Sequence, residues 1–239
     1  MSACNEWGQP IGPALPNFSA PRPPARAPLV GRFCRVEPLD PARHAAELWQ
    51  ANTGGSGSHW TYLPYGPFDA FASYAEWLRE RALTSDPLFF SIVLLEAEQP
   101  VGVASYLRIE PSSASIEVGH LSLSPRLARS PAATEAMYLM MKHAFELGYR
   151  RYEWKCDALN APSRAAAERL GFLFEGIFRQ AAVYKGRSRD TAWYSIIDSE
   201  WPALERALSG WLEPDNFDTE GVQRRRLSEL TRQLRPMAR

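Results

Sequence analysis

Cysteine is scarce in this 239-residue chain, and the three that occur, Cys4, Cys34 and Cys156, are odd in number and lie far apart. That excludes a disulfide framework and the paired spacing of a zinc site. It predicts reduced thiols, a cytoplasmic location and no metal. Charge of one sign is equally lacking, since 27 basic residues balance 27 acidic ones. Nucleic acid and anionic membranes both call for a basic excess, so neither is an expected partner. No apolar run approaches the roughly 20 residues of a membrane helix, and no basic start leads into an apolar stretch at the N-terminus. The expectation is a soluble, unexported protein. Internal repeats are absent, and so is any dense acidic cluster of the kind that would hold a polycationic acceptor.

Proline is not scarce. Pro10, Pro13, Pro16, Pro21, Pro23, Pro24 and Pro28 crowd residues 1–28 too closely for a helix or an inner strand. These residues read as an extended arm, with Trp7, Ile11, Leu15 and Phe18 available to dock it on a groove. Residues 29–209 are long enough for one substantial core and read as a single domain, and residues 210–239 as a C-terminal extension.

Within the domain, 33–38 alternate as a first strand, and Ala42 to Gln50 follow Asp40-Pro41 as a helix. A Gly/Ser-rich stretch, Gly54 to Ser58, breaks that helix, and Asp69 stands where it can cap the next, which runs to about Leu83. Leu88 to Leu95 and Val101 to Ile109 read as adjacent antiparallel strands, followed by a strand over Ser115 to Leu123. Pro131 to Leu147 is a helix with Met137, Met141, Ala144 and Phe145 on one face, closed by Gly148. Tyr152 to Asp157 is a strand, and Leu173 to Tyr184 pairs with Thr191 to Ile197 across Lys185-Gly186. In the extension, Val222 to Leu234 places Leu227, Leu230 and Leu234 on one helical stripe.

The most informative stretch is Asn160 to Gly176, NAPSRAAAERLGFLFEG. Asn160 can accept a backbone hydrogen bond at a helix start, Pro162 loses nothing in the first turn, and Ala165 to Leu170 are strong helix formers. Gly171 then supplies the left-handed residue that ends the helix.

Asn160, Ser163, Leu170, Gly171 and Phe172 together resemble motif B of the GNAT N-acetyltransferases. Gly119 to Ala136, GHLSLSPRLARSPAATEA, resembles motif A of the same family: a strand, a phosphate-binding loop and a helix start. Asp190 and Tyr194, followed by Glu200-Trp201, resemble the end of the ribosomal-protein N-terminal acetyltransferase branch. The resemblance covers about residues 30–208. It implies an α/β (α+β) acyl-CoA N-acyltransferase fold, with a mixed central sheet of about seven strands flanked by helices.

The resemblance implies acetyl-CoA as donor substrate, a primary amine as acceptor, and a homodimer as one assembly open to the chain. The pantetheine arm would lie between strands Ser115 to Leu123 and Tyr152 to Asp157, where they diverge. The implied contacts are Leu121, Ser122 and Leu123 on the first strand, the loop and helix start at Arg126, Arg129, Ser130, Ala132 and Ala133, and the side chains of Asn160 and Ser163. Two positions that are glycine in the usual loop hold Arg129 and Pro131 here. Ser130 as N-cap, Pro131 at N1 and the free N–H groups of the helix start still attract phosphate, and Arg126 and Arg129 can add charge-assisted contacts.

The chemistry needs a base for the amine, a donor for the oxyanion and a partner for the leaving thiolate. Glu117 is the base candidate. His120 has a suitable pKa, but alternation puts it on the opposite strand face unless a bulge intervenes. The tyrosine that many family members use as the thiolate's acid is matched by Ala167, leaving Ser163 to hydrogen-bond the thiolate. Trp60, Tyr62, Tyr65 and Phe68 are candidates for the acceptor pocket through their ring faces, with a local core beneath the loop as the alternative. A noncatalytic acyl-CoA-binding or scaffold protein of the same fold is the competing reading.

Overall fold

The computed structural model describes residues 3–53 and 55–234. Gly54 of the Gly/Ser stretch, the first two residues of the arm and the last five of the extension lie outside them.

The arm contains a small antiparallel pair, β1 (Ala3–Cys4) and β2 (Pro10–Ile11), closed by the Asn5 side chain, which accepts the N–H groups of Trp7 and Gln9. Docking follows a different route from the one expected. Trp7, Ile11, Leu15 and Phe18 are exposed, whereas Pro21 and Pro24 are buried.

The central sheet has eight strands, not about seven. They are β3 (Leu29–Val30), β4 (Cys34–Pro38), β5 (Leu88–Leu94), β6 (Gln99–Glu110), β7 (Ser115–Leu123), β8 (Arg151–Asp157), β9 (Leu173–Tyr184) and β10 (Arg187–Ile197). The order is β3-β4-β5-β6-β7-β8-β10-β9, antiparallel throughout except between β7 and β8.

Helices cover both faces. On one face, α1 (Pro41–Thr53) and α2 (Phe71–Ala82) bury Leu48, Tyr74 and Leu78 with Trp60, Phe89 and Val103. Asp69 does not cap α2. Its N-cap is Ala70, whose methyl side chain can accept no N–H of the first turn. On the other face, α3 (Pro131–Glu146) lays Met137, Met140 and Met141 on Tyr106, Ile116, Val118 and Tyr152. The short helix α4 (Ala161–Arg169) joins the same core through Ala167. Strand alternation allots neighbours to the two cores: Phe89 faces α1 and α2, and Phe90 faces α3.

A helix not anticipated from periodicity, α5 (Trp201–Leu212), adds Trp201, Leu204 and Leu208 to the larger core. It runs across position 209, so part of the extension belongs to the core. The terminal helix α6 is shorter than expected, Leu227–Gln233, with Leu227 fully buried and Leu234 exposed beyond its end.

Candidate active site

Strands β7 and β8 pair from Ser115↔Arg151 to Val118↔Trp154, and the pairing stops there although both strands continue. The cause on the β7 side is local. His120 has a φ of 52°, and two β7 residues, His120 and Leu121, stand opposite Ala104 alone between the pairs Ser105↔Gly119 and Val103↔Ser122. This is a β-bulge, which bends the strand and re-aims the side chain. A regular strand would send His120 to the α3 face with Ile116 and Val118. The bulge turns it to the α1/α2 face instead, where its ring stacks on Tyr65 and lies 5.1 Å from Phe89.

The opening leads into a cavity of about 380 Å³. Glu117, Lys155 and Trp193 line it from the α1/α2 face, and Trp154, Cys156 and Ser163 from the α4 side. The cavity therefore reaches through the sheet at the point where the strands part.

Glu117 is only 3% exposed. Its Oε2 pairs with Arg108 Nη1 at 2.5 Å and with Lys155 Nζ at 3.0 Å, while Oε1 has no hydrogen-bond partner among the described residues. Burial raises its pKa above the usual carboxylate value, and the two cations pull it partly back. The Lys155 side chain is itself only 6% exposed. It also reaches Glu153 Oε2 at 2.7 Å and lies 3.7 Å over the Trp193 ring, so its charge is fully paired. Glu153 passes the network on to Arg151 at 2.7 Å, and Arg151 to Glu175 at 2.5 Å.

His120 accepts or donates one hydrogen bond, Nδ1 to the Tyr65 hydroxyl at 3.3 Å. Its pKa falls to about 4, through burial first and then the charges of Arg81 and Arg108, so the ring is neutral near pH 7.

On the opposite rim, Asn160 caps α4 by accepting the Ser163 N–H at 3.1 Å. Gly171 ends that helix region at φ 97°, where a Cβ would lie 2.5 Å from the Leu204 side chain. The Ser163 hydroxyl accepts the indole N–H of Trp154 at 3.1 Å.

The structure divides the sequence candidates. Glu117, Leu121, Asn160, Ser163 and Tyr62 line the cavity. Ser122, Leu123, Arg126, Arg129, Ser130, Ala132 and Ala133 lie beyond it, along the end of β7 and the start of α3. There Ser130 caps α3 by accepting the Ala133 N–H, and Arg129 takes the left-handed conformation, φ 64°, that the usual glycine would supply. Loop bonds occupy the N–H groups of Leu127, Ala128 and Ser130, while those of Arg129 and Ala132 have no partner among the described residues. Arg126 is engaged with the Gln99 side chain.

Trp60 and Phe68 follow the alternative, a local core beneath the loop. Both pack in the smaller core, with Trp60 meeting Phe68 edge to face, and neither lines the cavity. Tyr65 touches the site only through His120. Sequence reasoning missed Arg108, Lys155 and Trp193, which converge from three strands through non-local register. No local signal announces them.

Among the described residues, no group of three or more His, Cys, Asp or Glu could hold a metal ion, and no helix is long and apolar enough to cross a membrane.

A mixed sheet opened between its parallel pair, with capped helix starts on the rim, is the frame of an acyl-transfer fold. Residues 35–173 match the Acetyltransferase (GNAT) domain family, and the chain belongs to that family. A GCN5-related N-acetyltransferase from Brucella melitensis is 44% identical, with a TM-score of 0.89 over 91% of this chain and 100% of that one. A probable GNAT-family acetyltransferase from Chromobacterium violaceum is 42% identical, with a TM-score of 0.76 over 82% of this chain and 98% of the other. The ribosomal-protein-serine acetyltransferase of Escherichia coli K12 is 30% identical over 110 residues, 45% of this chain and 61% of that protein. The chain thus spans about three fifths of the length of that curated relative.

Proposed function

We propose that the protein is an N-acetyltransferase that moves an acetyl group from acetyl-CoA to a primary amine, on a small molecule or a peptide N-terminus, by direct transfer in a ternary complex. The observation that carries this reading is the approach of Glu117 and Ser163 to one opening from opposite faces of the sheet.

The residues fit the donor. Among the described residues, the Ser122 and Ser124 hydroxyls are buried without partners at the end of β7, and the N–H groups of Arg129 and Ala132 have none at a helix start, as phosphate binding requires. Acetyl-CoA would supply an activated acyl group on a thiol leaving group.

This chain's residues supply the rest. An alkylamine is free base in only about one molecule in a few thousand at pH 7, so it needs a base. Glu117 has Oε1 free to take the ammonium proton, directly or through water, while Oε2 holds the two cations. The amine nitrogen then bonds the acetyl carbon as the C–S bond breaks, and the proton it still carries in excess passes to the departing thiolate, leaving a neutral amide and a thiol. A backbone N–H near Leu121 polarises the carbonyl, and the Ser163 hydroxyl hydrogen-bonds the departing thiolate. Tyr62 and His59 also line the cavity and are available to the acceptor. The Escherichia coli relative, named a ribosomal-protein-serine acetyltransferase, supports a protein as the acceptor class.

The competing reading, a noncatalytic acyl-CoA-binding protein, draws on Ala167 in place of the family's tyrosine and on Arg129 and Pro131 in the phosphate loop. A thiol-release assay over a panel of amines and peptides separates the two. Turnover by the wild type and a fall of about 100-fold or more in Glu117→Gln are expected. Acetyl-CoA binding without turnover on any acceptor would favour the noncatalytic protein, and turnover within a few-fold in both Glu117→Gln and Ser163→Ala would overturn the assigned roles.

A further inference from the structure

Ser163 has a hydroxyl with one proton to donate and lone pairs to accept with, and nothing in its own geometry says which way that proton points. Its surroundings decide the matter. The neighbour at 3.1 Å is the Trp154 indole Nε1, and an indole N–H can only donate. One lone pair of Ser163 Oγ is therefore occupied, and the hydroxyl proton must be given elsewhere.

The backbone of Ser163 is fixed as well, because its N–H is held by Asn160 Oδ1. The indole is just as firmly placed. Trp154 is 5% exposed, packs edge-on against Phe172 at 5.6 Å, and sits in the last β8 position paired with β7 before the strands part. The Cys156 thiol, two positions along β8, lies on the same wall of the cavity. Burial raises the pKa of that thiol, and the Ser163 hydroxyl nearby opposes the rise.

We propose that Trp154 is the positioning residue for Ser163, filling the acceptor side of the hydroxyl so that its proton is presented to the sulfur that leaves the acyl group. This rests on the proposed acetyl transfer and on Ser163 acting at the thiolate. Trp154 itself gives up no proton and forms no bond to the substrate. In the step it serves, the amine nitrogen bonds the acetyl carbon, the C–S bond breaks, its electron pair stays on sulfur, Ser163 stabilises that charge by hydrogen bonding, and the excess proton on nitrogen passes to the thiolate, leaving a neutral amide and a thiol. The arrangement also accounts for catalysis without the family's tyrosine at the position of Ala167.

The test is a double-mutant cycle on the full chain with acetyl-CoA and an accepted amine. Trp154→Phe retains a ring and removes the N–H. It is expected to lower kcat by roughly 5- to 20-fold, the effect of one oriented hydrogen bond, with KM for acetyl-CoA within about twofold. Made on top of Ser163→Ala, the same change should cause no further loss in kcat. Should Trp154→Phe fold poorly, site-specific replacement of Trp154 by its benzothienyl analogue exchanges only the N–H for sulfur and should give the same result. An equal loss in both backgrounds would assign Trp154 a purely structural role and overturn the proposal, as would unchanged kcat in the single variant when Ser163→Ala is impaired. If Ser163→Ala is itself unimpaired, the inference falls together with the role given to Ser163. Absence of thiol release by the wild type would instead refute the transferase reading that underlies both.

Discussion

Glu117 and His120 face one cavity although they stand three positions apart on a single strand, because the left-handed conformation of His120 inserts an extra residue opposite β6. The bulge has two effects with one cause. It brings a neutral imidazole to the face that carries the carboxylate, and it lies where the pairing with β8 ends, opening the sheet. The opening beside the Glu117 carboxylate and the stacking of His120 on Tyr65 are therefore consequences of the same local break in alternation.

The pH dependence of activity should expose the Glu117 carboxyl. Burial raises its pKa, and Lys155 and Arg108 oppose that rise. A base must be ionised to work, so kcat/KM should fall on the acid side with a midpoint above the ordinary Glu value of about 4.3. Arg108→Gln removes one of the two opposing cations, so the midpoint should move to higher pH. Because the Arg108 side chain is 58% exposed, the fold should survive the change. A limb that stays put or moves down would mean that another group governs it.

His120 predicts a pH dependence of stability. Its pKa is about 4 in the folded chain and about 6.5 when unfolded, so between these values the unfolded chain takes up a proton that the folded one refuses. The stabilisation is whole above about pH 6.5 and is lost as the pH falls through that window. Urea denaturation at pH 7.5 and at pH 5 should show wild-type stability dropping by roughly 1–2 kcal/mol more than that of His120→Gln. Equal drops would show that this imidazole protonates freely in the folded protein.

How much of this was legible in the sequence depends on whether the signal was local. Helix α4 could be read almost residue by residue, because Asn160, Pro162 and Gly171 each act on a neighbouring peptide group. The opposite holds for Lys155 beneath Trp193. Their meeting is set by the pairing of β8 with β10, and neither residue marks its partner in the chain. The aromatic loop failed for another reason. Trp60 and Phe68 have a composition that suits a pocket wall and a core equally well, and only packing on Tyr74 separates the two. Helix α5 was missed despite a usable signal, with Trp201, Leu204, Leu208 and Trp211 at helical spacing and Pro202 in the first turn. The bulge at His120 had no such signal, since alternation gives the regular strand by default.

Glu135 should matter to stability and not to catalysis. Its carboxylate accepts the backbone N–H groups of Arg32, Phe33 and Cys34 at 2.8, 2.6 and 2.9 Å, tying the entry of β4 to the first turns of α3. Glu135→Ala leaves three donors without their acceptor, and should cost roughly 3–5 kcal/mol in denaturant unfolding. Gly31→Ala should cost a comparable amount, because a Cβ there would lie 2.3 Å from the Glu135 carboxyl carbon. Neither residue lines the cavity, so kcat/KM measured well below the unfolding transition should stay within about twofold. A large kinetic effect with unchanged stability would contradict this division.

Arg129 separates two contributions that the usual glycine of the phosphate loop combines, backbone shape and access. At φ 64° it pays the left-handed penalty of a side chain with a Cβ, about 1 kcal/mol, and keeps the loop in a glycine-like conformation. Its N–H and that of Ala132 have no partner among the described residues beside the capped start of α3, where an anion is favoured by the helix dipole. Arg129→Gly should therefore relieve strain without changing the loop, raising stability by about 0.5–1 kcal/mol against the greater freedom of glycine in the unfolded chain. It also removes a guanidinium that can bond phosphate, so calorimetric titration should show acetyl-CoA affinity falling by roughly 5- to 20-fold. That pairing of a more stable protein with a weaker ligand is the mark of a residue kept for its charge at a conformational cost. Unchanged or tighter binding would mean that the loop holds the ligand through its backbone alone, and that the arginine stands in for glycine in shape only.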